Sequence, residues 1–339
     1  MNVVDEVLDD TSRNVASGRR GGVVRAYLPI VVAAALVALV PLRYEDSRSM
    51  MGIITVGVLF ACYGVAFNII FGSTGQLFLC TGALAGIGGY GSALLADRSG
   101  FPLLLALAIS TAISAVIAGI LSWISVRRAL DTIFIGIVTI AFGLSFQNFV
   151  LGKGDWTGGE SGIRVATAKD SWLTGEVAPY YLFLGLLVVY LVVYRLLQRS
   201  RTGWAFRALR DDGLAAELSG VDVSRYRVLA GTLGGGMLGL AGGIYVFTQS
   251  RVSPSTFEFG NVDVSVLVML AFGGIGSLLG PVVGAAVFTW LDEFLEALGY
   301  AQAKELIYGV VIVALFLGFR RGVVPTVTDL AAKLFRRRS

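Results

Sequence analysis

The amino-acid sequence predicts an all-α fold, a polytopic membrane bundle of about ten transmembrane helices with both termini in the cytoplasm. Three observations predict it. Hydrophobic residues make up 55% of the 339-residue chain and charged residues 15%, with a mean hydropathy of +0.77, whereas a soluble domain carries about a quarter charged residues. The charges fall between long apolar intervals. The 44 glycines are typical of helices that approach closely in a bilayer.

The crossings follow from the apolar intervals, since a helix needs roughly 20 residues to cross the hydrocarbon core. The interval from Ser49 to Ala96 is too long for one crossing, and the polar segment Gly72–Gln76 divides it into two. The stretch from Val264 to Leu298 is divided in the same way by Gly273–Pro281. The other predicted crossings are residues 26–42, 99–126, 132–152, 177–194, 228–250 and 303–319.

The distribution of basic residues predicts the orientation. Of the 27 Lys and Arg residues, 19 fall in the N-terminal tail, at positions 127 and 128, between 195 and 227, and from 320 onward. Cytoplasmic loops carry an excess of Lys and Arg, so these segments are expected in the cytoplasm. The predicted parts are a cytoplasmic tail (1–25), a transmembrane domain (26–320) with an external loop (152–178) and a cytoplasmic loop (199–227), and a basic cytoplasmic tail (321–339).

The composition argues against several function classes. There is no His, and the two cysteines, Cys62 and Cys80, lie inside apolar runs, so we expect no catalytic residues and no metal site. The net charge of +4 arises from basic residues that flank apolar runs, which a membrane explains without nucleic acid. The sequence has no phosphate-binding loop of the Gly-x-x-x-x-Gly-Lys-Ser/Thr type.

The first glycine break carries polar side chains. Unwound backbone is tolerated at membrane depth only where protein or water satisfies its polar groups, and Asn68 lies one helical turn before the break. We expect this region to line a pathway for a small polar solute. The alternative interpretation is a tight turn with close helix packing. The candidate pathway residues here are Asn68, Gly72, Thr74, Gly75 and Gln76.

The cytoplasmic loop contains a predicted short amphipathic helix over residues 212 to 220. Asp212 is a suitable N-cap, Gly220 a suitable terminator, and Leu214 and Leu218 share one face. Taken alone, this pattern also fits a helix that lies at the lipid headgroups.

Several segments carry a family resemblance. The segment Arg207–Asp212, followed by Ala215-Ala216-Glu217 and Gly220, resembles the cytoplasmic coupling loop of ABC importer permeases. Five further segments resemble the LivM-like permease of branched-chain amino acid importers, in the same order: Phe71–Leu77, Gly86–Tyr90, Ile137–Phe142, Gly154–Gly159 and Gly273–Pro281. Where that family typically reads Ser-Leu-Gly-His, this chain has Phe-Leu-Cys-Thr at 78–81, which leaves the substrate open.

The resemblance implies a permease subunit that forms, with a homologous LivH-like permease, the pathway for branched-chain amino acids or a similar solute such as urea or an amide. It implies two ABC ATPase subunits that hold ATP and Mg, with no cofactor in this chain, and an external solute-binding protein. It also implies contact with membrane lipid and a multi-pass location in the plasma (inner) membrane of a prokaryote.

The resemblance also assigns residues to roles. Thr139, in the matching segment Ile137–Phe142, joins the pathway candidates. The residues expected to couple to the ATPase are Arg207, Arg210, Ala215, Ala216, Glu217 and Gly220. The residues expected to dock the binding protein are Asp155, Gly158 and Gly159.

Two other function classes compete. An ion-coupled secondary transporter or channel is expected to bury ionisable residues along its pathway, and the second to eighth predicted crossings contain essentially none. A membrane enzyme needs a nucleophile, base or metal set, which the sequence lacks.

Overall fold

The computed structural model describes residues 27–41, 48–165, 177–249 and 251–299, together with Ile307, Val310 and residues 322–326. The predicted N-terminal tail, most of the C-terminal tail, most of the crossing at 303–319 and residues 166–176 of the external loop lie outside the described residues. The helices are α1 (Tyr27–Ala38), α2 (Arg48–Phe67), α3 (Thr81–Asp97), α4 (Leu103–Arg127), α5 (Thr132–Gly152), α6 (Gly154–Thr157), α7 (Ala178–Arg199), α8 (Arg201–Asp211), α9 (Gly213–Leu218), α10 (Val223–Thr248), α11 (Phe259–Gly273) and α12 (Gly280–Ala297).

Within the described residues, six helical segments are long and apolar enough to cross a membrane. They are Ser49–Gly72, Leu103–Arg127, Thr132–Gly152, Ala178–Arg199, Val223–Thr248 and Pro254–Gly273. The helices α1, α3 and α12 lie within further predicted crossings but do not meet the same limits of length and apolarity. The total of ten therefore stays a prediction, as does the side on which each terminus lies.

The core is built on α10, which packs most extensively against α4 and α3. The contact faces are made of small residues. A Cβ at Gly242 would lie 2.1 Å from the carbonyl oxygen of Ala85, and one at Gly88 would lie 1.9 Å from that of Gly239. The Ser114 hydroxyl lies 2.9 Å from the carbonyl oxygens of both Leu84 and Gly235. Close approach of backbones, rather than large apolar side chains, holds these three helices together.

A second group of helices flanks this core. The helix α2 packs against α7 and α12, and α11 packs against α12. Large side chains on α2 and α7 are buried, among them Tyr63, Phe67, Tyr180 and Phe183, and Cys62 Sγ on α2 lies 3.7 Å from Phe183 O on α7.

The two ends of the bundle differ. At one end, β1 (Ile163–Arg164) pairs with β2 (Arg251–Val252) in a short antiparallel ladder, with Ile163 opposite Val252. We call this the ladder end. Because α10 runs from α9 towards β2, the helices α8 and α9 lie at the opposite end, which we call the junction end.

Candidate functional site

The connection from α2 to α3 is a long break. A π-helix, Asn68–Gly72, follows α2, and residues 75–80 are not helical. Gly75 has φ +74°, a left-handed conformation that suits glycine. The sequence predicted a break over Gly72–Gln76, and the actual break continues to Cys80. As a result, the start of α3 lies beside the middle of α5, where Gly143 is close to Leu79 and Cys80.

Asn68 joins this break to the second glycine segment. Its side chain is fully buried. The side-chain Nδ2 donates to Ser277 O at 2.9 Å, and Oδ1 accepts from Gly276 N at 2.8 Å. Tyr194 Oη donates to Gly276 O at 3.0 Å. We call residues 68–72 and 274–277 together the glycine junction. It joins two breaks into one hydrogen-bonded unit, although Asn68 and Ser277 are 209 residues apart in sequence.

The other predicted pathway side chains also bond to the chain itself. Thr74 Oγ1 donates to Ile70 O at 2.7 Å. Gln76 Nε2 donates to Thr74 Oγ1 and to Arg227 O, each at 3.0 Å, while its Oε1 is buried without a partner among the described residues. Thr139 Oγ1 accepts from Leu79 N at 2.9 Å. The structure therefore places these residues at the break and its supports, and their part in a solute pathway stays a prediction.

Asp263 is a buried carboxylate that the sequence analysis missed. It lies in α11 with 3% of its surface exposed. One carboxylate oxygen accepts from Thr81 N and the other accepts from Gly82 N at 3.3 Å, so Asp263 caps the first turn of α3 from another helix. The predicted crossing began at Val264, whereas the helical segment that is long enough to cross a membrane is Pro254–Gly273 and therefore includes this ionisable residue. The available signal was an acid one residue before the apolar stretch that starts at Val264.

The predicted short helix in the cytoplasmic loop is present as α9. Asp212 Oδ1 accepts from Leu214 N at 2.9 Å and from Ala215 N at 3.0 Å, and Gly220 has φ +85°. The helix ends at Leu218, two residues earlier than predicted. Its outward face is apolar, since Leu214 is 69% exposed and Leu218 is 82% exposed.

One expected coupling residue, Ala216, lies differently from the expectation. Ala216 is only 5% exposed and faces its own chain, whereas Ala215 and Glu217 are exposed. Arg210 is exposed, and its Nη1 also donates to Gly72 O at 2.9 Å. Arg207 is exposed, with its Cζ 4.5 Å from the centre of the Trp204 ring. Arg210 thus connects α8 directly to the glycine junction.

The predicted docking residues for a binding protein form a compact turn at the ladder end. Gly158 and Gly159 both have positive φ, +75° and +54°, and a Cβ at Gly158 would lie 2.1 Å from Gly162 O. Arg98 Nη2 donates to Asp155 O at 2.6 Å. Asp155 is exposed and Gly159 is buried, and their docking role stays a prediction.

The part of the chain that the structure describes contains no group of three or more His, Cys, Asp or Glu residues that could hold a metal ion. Cys62 and Cys80 are free thiols, and both are buried.

Comparison with known proteins identifies relatives over most of the chain. Residues 49–316 match the family model for the permease component of the branched-chain amino acid transport system. The chain is 26% identical to the high-affinity branched-chain amino acid permease LivM of Salmonella typhimurium, over 87% of this chain and 75% of that protein. It is 28% identical to the ribose import permease RbsC of Escherichia coli, over 38% of this chain and 41% of that protein. It is also 31% identical to a probable LivH permease of Methanocaldococcus jannaschii, over 39% and 42% of the two chains. No solved structure matches significantly.

Proposed function

The chain belongs to the family of permease components of branched-chain amino acid transport systems, and we propose that it forms the translocation pathway of an ABC importer together with a homologous LivH-like permease. In this proposal, two separate ABC ATPase subunits bind ATP and Mg, and an external binding protein delivers the solute. The protein is a multi-pass membrane protein, and the proposed location is the plasma (inner) membrane of a prokaryote.

The proposed solute is a branched-chain amino acid or a small polar solute of similar size. The degree of identity supports this class, because LivM is 26% identical over 87% of the chain, whereas the ribose permease RbsC of Haemophilus influenzae is 20% identical over 85%. The Phe-Leu-Cys-Thr sequence at 78–81 leads directly into the first turn of α3, where Asp263 bonds. We propose that this region distinguishes the solute of this permease from those of its relatives.

The proposed orientation places the junction end in the cytoplasm, because the segments predicted to be cytoplasmic carry 19 of the 27 Lys and Arg residues. The exposed apolar face of α9 would then meet the ATPase. A small helix with two leucines at 69% and 82% exposure gains by burying them against a partner.

The hydrogen bond from Arg210 to Gly72 O is the observation that carries the coupling mechanism. The helices α8 and α9 are consecutive and share Asp212, which ends one and caps the other. Movement of α9 with the ATPase is therefore transmitted to α8, and Arg210 passes it to the glycine junction. There it acts on the broken connection between α2 and α3, where unwound backbone can change conformation without breaking a regular helix.

Copurification and ATP hydrolysis test this proposal. The solubilised permease is expressed with its candidate ATPase, partner permease and binding protein, and ATPase retention and solute-stimulated hydrolysis are measured. We expect Leu218→Asp to abolish both, because a charge would be buried without a partner in the interface. Glu217→Ala serves as the matched control on α9, and its effect should be small because exposed ion pairs typically contribute under about 1 kcal/mol.

A headgroup-bound α9 predicts a different result. In that case Leu218→Asp weakens contact with lipid but leaves ATPase retention and stimulated hydrolysis unchanged. That outcome would reject the docking role. Ala216→Trp is unsuitable for this test because Ala216 is buried in its own chain, so its replacement disrupts the permease before any partner is involved.

A further inference from the structure

A cavity of about 180 Å³ lies at the junction end, between α8, the last turns of α7 and the glycine junction. Its polar lining consists of Ser73, Tyr194, Gln198, Arg207 and Arg210. Gly72, Gly203 and Gly276 bring backbone close to the same space, and Leu197 and Phe206 complete the wall. None of the expected pathway side chains lines this cavity, and Gly72 alone is shared with that set.

The cavity has two cations on one side. Arg207 and Arg210 are three residues apart on α8, so their side chains share a helix face. Arg210 Nη1 donates to the uncharged Gly72 O, and the Arg207 guanidinium lies over the Trp204 ring. Among the described residues, no carboxylate forms an ion pair with either guanidinium. Two like charges at this spacing destabilise the helix, and an anion between them would remove that cost.

The neutral polar side chains that line the cavity each donate a hydrogen bond within the chain. Tyr194 Oη and Gln198 Nε2 both donate to Gly276 O, at 3.0 and 3.4 Å. Ser73 Oγ donates to Asn68 O at 3.2 Å. Each guanidinium has five donors in a planar fork, which suits the oxygen atoms of a carboxylate or phosphate. The donors still available around the cavity are therefore mainly those of the two guanidinium groups.

We propose that this cavity binds a small oxyanion of the phosphate type between Arg207 and Arg210. Two sources offer this chemistry: a free anion from the aqueous phase and the phosphate of a lipid headgroup. A bound oxyanion would link Arg207 to Arg210 and, through the bond of Arg210 to Gly72, hold α8 against the glycine junction. This inference depends on the geometry of the cavity and does not require the proposed transport function.

The first arm of the test uses inorganic phosphate as the probe for a free anion. The full chain is purified in a neutral detergent, and its thermal unfolding is followed against phosphate concentration at constant ionic strength. A ligand that binds the folded state raises the melting temperature in a saturable way. Arg207→Gln should weaken the apparent phosphate affinity by about tenfold or more, which corresponds to one lost hydrogen bond to a charged group. Arg207 is exposed, so this variant is expected to fold.

Arg225→Gln is the matched control, because Arg225 is an exposed arginine close to the same loop that does not line the cavity. The second arm measures retention of phosphatidylglycerol by native mass spectrometry for the unaltered chain and both variants. Phosphate binding that depends on Arg207 but not on Arg225 supports the proposal and identifies a free anion. Lipid retention with the same dependence, without a phosphate effect, supports it with the headgroup as the source. If neither probe distinguishes Arg207→Gln from Arg225→Gln, the proposal is overturned.

Discussion

At the scale of single residues, Asp263 accepts hydrogen bonds from N–H groups that have no acceptor within their own helix. The first N–H groups of any α-helix lack acceptors within the helix, and those of α3 emerge halfway along the bundle rather than at its surface. Thr81 N and Gly82 N instead donate to the two oxygens of the Asp263 carboxylate. The favourable interaction of a carboxylate with a helix N-terminus offsets part of the desolvation that burial imposes on the charge.

Replacement of Asp263 should therefore have a graded effect on stability. Asp263→Ala leaves two buried donors unpaired and is expected to lower stability by about 2–6 kcal/mol, since each buried unsatisfied group costs about 1–3 kcal/mol. Asp263→Asn retains one oxygen acceptor in nearly the same shape and should cost less. Thermal unfolding of the purified variants in detergent measures the order. Equal losses for the two variants would show that the cap is not the source of the effect.

Some of these residues were predictable from the sequence, but their partners were not. Asn68 was recognisable because an amide in an apolar run needs hydrogen bonds, yet its partners Gly276 and Ser277 lie more than 200 positions away. Ala216 was recognised as a small residue, and only the packing of α9 shows that it points into its own chain. The residue type indicates that a side chain requires hydrogen bonds or close packing, whereas the tertiary structure determines which residues provide them.

At the scale of helices, the close contact of α3, α4 and α10 is made possible by glycine and serine. A Cβ at Gly242 would meet backbone atoms of Ala85, and backbone cannot move aside as a flexible side chain can. The glycines on this face therefore set the separation of the helices, which in turn positions the first turn of α3.

Gly242→Ala tests this packing. Because the added methyl group overlaps the Ala85 carbonyl, we expect a loss of about 1–3 kcal/mol or more in stability and a reduced yield of folded protein. Gly185→Ala on α7 is the matched control, since a Cβ at Gly185 meets nothing within 4 Å. The control should be neutral or stabilising by up to about 1 kcal/mol, as expected for Gly→Ala within a helix. Fluorescence-detected size exclusion after heating compares the two, and equal behaviour would contradict a close-packed α3–α10 contact.

The bounds of most helices were predictable from apolar intervals, and the exceptions have physical causes. The interval 132–152 has the bounds of α5. The helix α7 continues to Arg199, beyond the predicted end at 194, because long Arg side chains can reach polar surroundings from a helix end. The helix α10 begins at Val223, before the predicted start at 228, because Asp222 caps it by accepting from Arg225 N. The break before α3 extends further than predicted because Thr139 and Asp263, both remote in sequence, support the residues that end it.

At the scale of the whole molecule, the two ends of the bundle are built differently. The ladder end has the short pair of strands β1 and β2, whereas the junction end has α8, α9 and the second glycine segment. The Lys and Arg asymmetry predicts that the junction end is cytoplasmic. Each helix that runs between the two ends must then cross the membrane with its junction end on the cytoplasmic side.

Labelling of single cysteines determines the orientation. Ser161 at the ladder end and Ser219 beside α9 are both exposed. The native Cys62 and Cys80 are buried, so they contribute little background. A membrane-impermeant maleimide should label Ser161→Cys in intact cells and Ser219→Cys only after the cells are permeabilised. Labelling of Ser219→Cys from outside intact cells would reverse the orientation.

The cap on α3 also imposes an order on biogenesis. Thr81 and Asp263 are 182 residues apart, and at about 5–20 residues per second the ribosome needs roughly 10–40 s to travel between them. Throughout that interval α3 has been synthesised but its first turn lacks the acceptor that it has in the finished protein. A nascent chain of this permease therefore carries an early helix without its cap until Asp263 has been synthesised, and the insertion machinery must accommodate the uncapped helix for that time.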